Sequence, residues 1–159
     1  MSLLDMDERI LDVAKVADLV CSPLVDTKGF PEDVDVTLVE GAVSSEEDLH
    51  KIKLIRSRTR ILVALGDCAV TGNVSAMRNP FGVDAVLDRA YRQTSSPTGS
   101  PPVQVVPKLL SRVRPIHEVV SVDLTVPGCP PSADVIHHVV TELLAGRMPD
   151  VTELTRFGA

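Results

Sequence analysis

The chain has 159 residues, a formal charge of −6 at neutral pH and 44% hydrophobic residues, with aromatics at 3% and no tryptophan. An acidic chain without a basic stripe argues against a nucleic-acid partner, because phosphate backbones are held largely by Lys and Arg. With no apolar run of about 18 residues and no signal-peptide pattern, the expectation is a cytoplasmic protein without membrane insertion, a single domain over residues 1–159 with an aliphatic core.

In chain order, Ile10, Val13, Ala14 and Ala17 recur at helical spacing and predict a first helix over Asp7 to Ala17, with Asp5, Asp7 and Glu8 near its start. Two strand-like runs follow, Leu19 to Leu24 and Val34 to Val39. Ser44, Ser45, Glu46 and Glu47 supply cap and first-turn residues for a helix striped by Leu49, Ile52 and Ile55. Ile61 to Leu65 is wholly apolar, the pattern of a central parallel strand buried on both faces. A short helix with Val83, Val86, Leu87 and Ala90 on one side is expected within Asn79 to Arg92, then a long surface loop from Thr94 to Pro102. Val113 to His117 carries no decisive pattern. Val119 to Val126 reads as a strand, and Ala133 to Ala145 as a helix that Gly146 ends and Pro149 keeps from resuming. Strands alternating with helices imply an α/β fold with a parallel sheet, whose ligands gather at the carboxyl ends of the strands.

Two of the three cysteines fall at such ends. Cys68 lies in Gly66-Asp67-Cys68-Ala69-Val70-Thr71-Gly72-Asn73 and Cys129 in Val126-Pro127-Gly128-Cys129-Pro130-Pro131, each directly after an apolar run. An odd count without dense spacing favours a reducing compartment, with ligation or burial as the roles of the thiols. A cysteine after a buried strand is often a small core residue. The pair, in Gly- and Pro-rich loops at one edge of a sheet, has instead the layout of two halves of a metal-cluster site. Gly66 permits close backbone approach, Gly72 and Asn73 tolerate positive φ, and Pro131 is placed to open the next helix.

These two segments resemble, in content and order, the small subunit of nickel-iron hydrogenases. The variant Gly66 to Asn73, followed by Met77-Arg78-Asn79-Pro80, is most similar to the NAD-reducing type, and Val39-Glu40-Gly41-Ala42-Val43 extends the likeness over nearly the whole chain. The resemblance implies a flavodoxin-like three-layer fold and an electron-transfer subunit. Its 4Fe-4S cluster would be bound in part by Cys68 and Cys129 and lie proximal to the nickel-iron centre of the large subunit. It also implies diaphorase partners, carrying flavin and iron-sulfur groups, that reduce NAD, and an association with flavin mononucleotide that no residue here identifies. In that family the other two thiolates come from a Cys-x-x-Cys just before the stretch corresponding to Met1 to Glu8. The chain is therefore expected to lack those ligands and the first central strand.

Two alternatives stand beside this reading: the related iron-sulfur subunit of NADH-quinone oxidoreductase, and a non-catalytic flavodoxin-like binding module with structural cysteines. Cys21 fits no ligand motif and reads as a core residue. His137 and His138 are neighbours on a helix, about 100° apart, and so are poorly placed to share a metal with Cys129. Glu40 is either a proton relay or an acceptor of backbone N–H groups; Arg78 and Asn79 either fix their loop or meet a partner subunit.

Overall fold

A computed structural model describes residues 4–22, 29–94 and 99–157. Three parallel strands form the main sheet, β1 (Val34–Glu40), β3 (Thr59–Leu65) and β5 (Leu124–Val126), in the order β1-β3-β5. β3 is the central strand, as its apolar run requires. Leu62, Val63 and Ala64 are almost wholly excluded from solvent, and Leu65 is nearly so. Alternate residues of a strand point to opposite faces, so β3 divides its side chains between two cores. Val63 and Leu65 join Met6, Val126 and the Val135, Ile136, Val139 and Leu143 face of α6 (Ala133–Leu144). Leu62 and Ala64 join Val43, Ile116 and Ile52, the last from α2 (Glu46–Arg58). Helices therefore cover both faces of the sheet. Each fully buried aliphatic side chain contributes about 1.5–3 kcal/mol.

The start of α2 follows from its sequence. Ser45 Oγ accepts the Asp48 N–H at 3.1 Å, and Asp48 Oδ2 accepts the N–H groups of Ser44 and Ser45 at 3.0 and 2.9 Å and the Ser44 hydroxyl at 2.8 Å. Burial works to raise the Asp48 carboxyl, but the hydrogen bonds with Ser44 and Ser45 outweigh it and hold its pKa below the ordinary 3.8. β5 is pinned in a similar way: the Leu62 N–H donates to Asp123 Oδ2 at 2.7 Å and Arg56 reaches the same oxygen at 2.6 Å. The Leu62 bond, with Arg56 behind it, lowers the Asp123 pKa.

Several expectations need correction. The first helix, α1 (Arg9–Ala14), is shorter than Asp7 to Ala17 and follows a 3-10 turn at Leu4–Met6. Of the strand expected over Leu19 to Leu24, residues 19–22 are irregular and 23–24 lie outside the described residues. A strand exists only within a ladder, and among the described residues β1 is flanked by β3 alone. Only Leu124–Val126 of the strand expected from Val119 pairs, with Val63 to Leu65 of β3; Val119 and Val120 leave a 3-10 turn at Ile116–Glu118 and, with Val122, pack beneath the sheet instead. A second sheet was not expected: β2 (Val43–Ser45) pairs antiparallel with β4 (Leu109–Arg114). The segment that carries Cys68 is wound into two short helices, α3 (Asp67–Thr71) and α4 (Asn73–Ala76), and α5 (Val83–Tyr91) follows within the range expected for it.

Candidate metal centre

The loops that follow β3 and β5 are joined by backbone and carboxylate. The Gly66 N–H donates to the Val126 carbonyl at 2.7 Å, continuing the ladder one residue past the strands. Asp67 then makes a reciprocal pair with Gly128: its N–H donates to the Gly128 carbonyl at 2.9 Å, and its Oδ1 accepts the Gly128 N–H at 2.7 Å. Asp67 is only 5% exposed, and a buried carboxylate is tolerated where its oxygens are satisfied. Cys68 and Cys129 are each the next residue after this pair. Their loops are thereby brought together at the carboxyl edge of the sheet, as the sequence led one to expect.

Gly128 cannot be replaced without moving the chain. Its φ is +141°, and a Cβ there would stand 2.7 Å from Pro131 Cα and 2.8 Å from Pro131 N. Pro131 is buried in this turn, while Ser132 caps α6 by accepting the Val135 N–H at 3.3 Å. The expectation that Pro131 opens the helix is thus off by two residues. A cis peptide joins Cys129 to Pro130. Cys129 is exposed and Cys68 half-buried.

A second tie crosses between the loops. Asn73 Nδ2 approaches Cys129 Sγ at 3.6 Å, the Asn73 N–H donates to Thr71 Oγ1 at 3.2 Å, and the Thr71 hydroxyl donates to the Asp67 carbonyl at 2.8 Å. Neither Asp67 nor Asn73 was singled out by sequence as more than a spacer or a turn former. A charged residue directly after a buried apolar strand and a glycine was the available signal for Asp67.

Among the described residues, no group of three or more His, Cys, Asp or Glu is placed to hold a metal ion. Cys21, half-buried in the irregular stretch after α1, therefore does not complete a triad with Cys68 and Cys129. His137 and His138 lie on α6 without such a constellation, and Glu40 is exposed at the end of β1. The donor set of this chain fits two corners of a four-thiolate cluster. The start of α1 lies close by: Arg9 donates to the Met6 carbonyl at 3.2 Å and to Asp134 Oδ1 at 2.8 Å, which holds residues 6–9 against the first turn of α6.

Arg78 and Asn79 fix their loop. Arg78 bonds the carbonyls of Ser44 and Leu110 at 3.1 and 2.8 Å, bridging β2 and β4, and the Asn79 amide exchanges hydrogen bonds with the main chain of Val113 at 2.8 and 2.9 Å. Three large apolar side chains near them are exposed. Val74, Met77 and Phe81 are 64%, 69% and 72% exposed, at positions three and four apart on α4 and the turns that follow it.

A family model described as NADH ubiquinone oxidoreductase, 20 Kd subunit, matches residues 1–143. The delta subunit of the NAD-reducing hydrogenase HoxS of Cupriavidus necator is 40% identical over 158 residues, spanning 95% of this chain and 75% of that one. The F420-non-reducing hydrogenase of Methanothermobacter marburgensis has a subunit that is 39% identical over 152 residues, spanning 92% of this chain and 49% of the relative, so the chain covers only about half of that protein. Among solved structures, a chain of an NAD+-reducing [NiFe]-hydrogenase in the H2-reduced state superposes with a TM-score of 0.91 at 39% identity, covering 98% of this chain and 89% of that one.

Proposed function

Because this chain belongs to the NADH ubiquinone oxidoreductase 20 Kd subunit family, we propose that it is the electron-transfer small subunit of a cytoplasmic NAD-reducing nickel-iron hydrogenase. Cys68 and Cys129 are two ligands of its proximal 4Fe-4S cluster, whose chemistry is to store and release single electrons between the nickel-iron centre of the large subunit and the diaphorase subunits. The observation that supports this reading is the reciprocal Asp67–Gly128 pairing, which joins the two cysteine-bearing loops where strands β3 and β5 end. Thiols serving only as core filler would be buried, whereas Cys129 is exposed.

The chain's own residues hold, orient and present the cluster. Gly66 and Gly128 let the two backbones close up, Asp67 locks them, and Asn73 addresses the sulfur of Cys129. In the family pattern the remaining thiolates come from a Cys-x-x-Cys beside the stretch that corresponds to Met1 to Glu8. The Arg9 contacts favour that placement, since they seat residues 6–9 beside the helix that opens four residues after Cys129. Val74, Met77 and Phe81 border the same loops and supply an apolar face for the large subunit, which must approach closely for electrons to cross.

The test is made on the assembled complex, purified without oxygen, with Cys68→Ser and Cys129→Ser introduced singly. Each variant is expected to lose about four irons and the matching EPR signal and to stop H2-driven NAD reduction, while Cys21→Ser changes neither. Iron content equal to the parent in both variants overturns the ligand assignment. A releasable yellow chromophore in place of brown colour would favour the flavodoxin-like module.

A further inference from the structure

We propose that Asn73 is a positioning residue that sets the reduction potential of the metal centre by donating a hydrogen bond from its side-chain amide to Cys129 Sγ. The inference rests on the reading of Cys129 as a cluster ligand. A ligating thiolate has no proton and accepts only, so the amide nitrogen, which lies 3.6 Å from the sulfur, is the atom that can answer it. The contact joins groups 56 residues apart, and the main chain aims it. Gly72 and Asn73 both have positive φ, +84° and +32°, a region that Asn and Gly enter more readily than other residues. The Asn73 N–H is tied to Thr71 Oγ1, and the Thr71 hydroxyl is tied back to the Asp67 carbonyl. One run of residues thus fixes Asn73 to the residue beside Cys68 while its side chain reaches Cys129.

The electronic consequence has a definite sign. A donor to a ligand sulfur stabilises the more negative, reduced state of a cluster more than the oxidised state, because the sulfur carries more charge after the electron arrives. Asn73 therefore raises the potential and favours electron uptake. Removing it should lower the potential without removing a ligand.

Two substitutions separate this role from a structural one. Asn73→Gly deletes the donor while tolerating the positive φ; Asn73→Asp keeps the shape and puts an acceptor where the donor was. Each is introduced into the complete complex, and the midpoint of the proximal cluster is read by EPR-monitored redox titration, with iron content measured on the same samples. In Asn73→Gly the reduced-to-oxidised ratio at a fixed potential is expected to fall about tenfold, equal to about 59 mV for a one-electron couple, with iron unchanged. Asn73→Asp should fall further. An unchanged midpoint in both variants overturns the inference and leaves the cluster assignment standing. A parent complex without the cluster overturns both. Should Asn73→Gly lose iron, the midpoint of Asn73→Asp decides alone, lowered in support and unchanged against.

Discussion

Strands β1 and β3 are both seven residues long and rich in Val and Leu, yet they come to different ends. β3 has neighbours on both sides and buries five of its seven residues, whereas β1, among the described residues, pairs on one side only and buries none fully. Similar strand sequence therefore does not confer similar environment; the ladder decides. The same contrast governs the loops that follow, for the chain after β3 is bonded to the loop after β5, while β1 runs out at an exposed Glu40.

The largest expected effect lies at the knot between the β3 and β5 loops. Gly128→Ala should cost about 3 kcal/mol or more, because the new Cβ meets main-chain atoms that cannot step aside; urea denaturation that finds a loss below about 1 kcal/mol would mean the loops are not locked. Next comes a matched pair across the sheet. Val63→Ala in β3 should destabilise by about 2–3 kcal/mol and Val36→Ala in β1 by about 1 kcal/mol. Equal losses would erase the distinction between the strands, and hydrogen exchange should agree by showing slower exchange in β3.

Asp67 sharpens the comparison from the loop side. Asp67→Ala leaves the buried Gly128 N–H without its acceptor and should cost about 2 kcal/mol, whereas Asp67→Asn retains a carbonyl oxygen for it and should cost less than half as much. A smaller effect, about 1 kcal/mol, belongs to the cap of α2. The Asp48 pKa is lower in the folded chain than the ordinary 3.8, so its contribution is complete above the unfolded value and is lost as pH falls through the folded one. Asp48→Asn should flatten the stability profile below pH of about 4; a parallel profile for both proteins would count against the capping box. Smallest for stability, within about 0.5 kcal/mol, are Met77→Ser and Phe81→Ser on the exposed face. They should nevertheless weaken co-purification with the large subunit, and retention equal to the parent would remove that face from the interface.

What the sequence disclosed was local. The apolar run of β3 and the periodicity of α6 appear in the structure because each pattern fits one strand or one helix whatever surrounds it. Leu19 to Ser22 have the composition of a strand but no ladder among the described residues, and Val119 to Val122 are turned out of the ladder by the 3-10 turn before them and bury their valines beneath the sheet. β2 and β4 went unseen because their pairing joins Val43 to Arg114 across the chain. At the candidate site the cysteines were legible from their flanking glycines and prolines. Asp67 and Asn73 were not, since their importance lies in neighbours 61 and 56 residues away.

Those separations impose an order in time. The Asp67–Gly128 bond spans 61 residues and the Arg9–Asp134 bond 125, so the first waits for the chain to reach residue 128 and the second for the opening turn of α6. At about 5–20 residues per second, the loop carrying Cys68 waits about 3–12 s for its counterpart to leave the ribosome. During that interval the first thiol is available to any metal or oxidant in the cell. The pairing of the two loops is therefore a late event in the making of the chain, governed by the arrival of residue 128 rather than by the folding of β3.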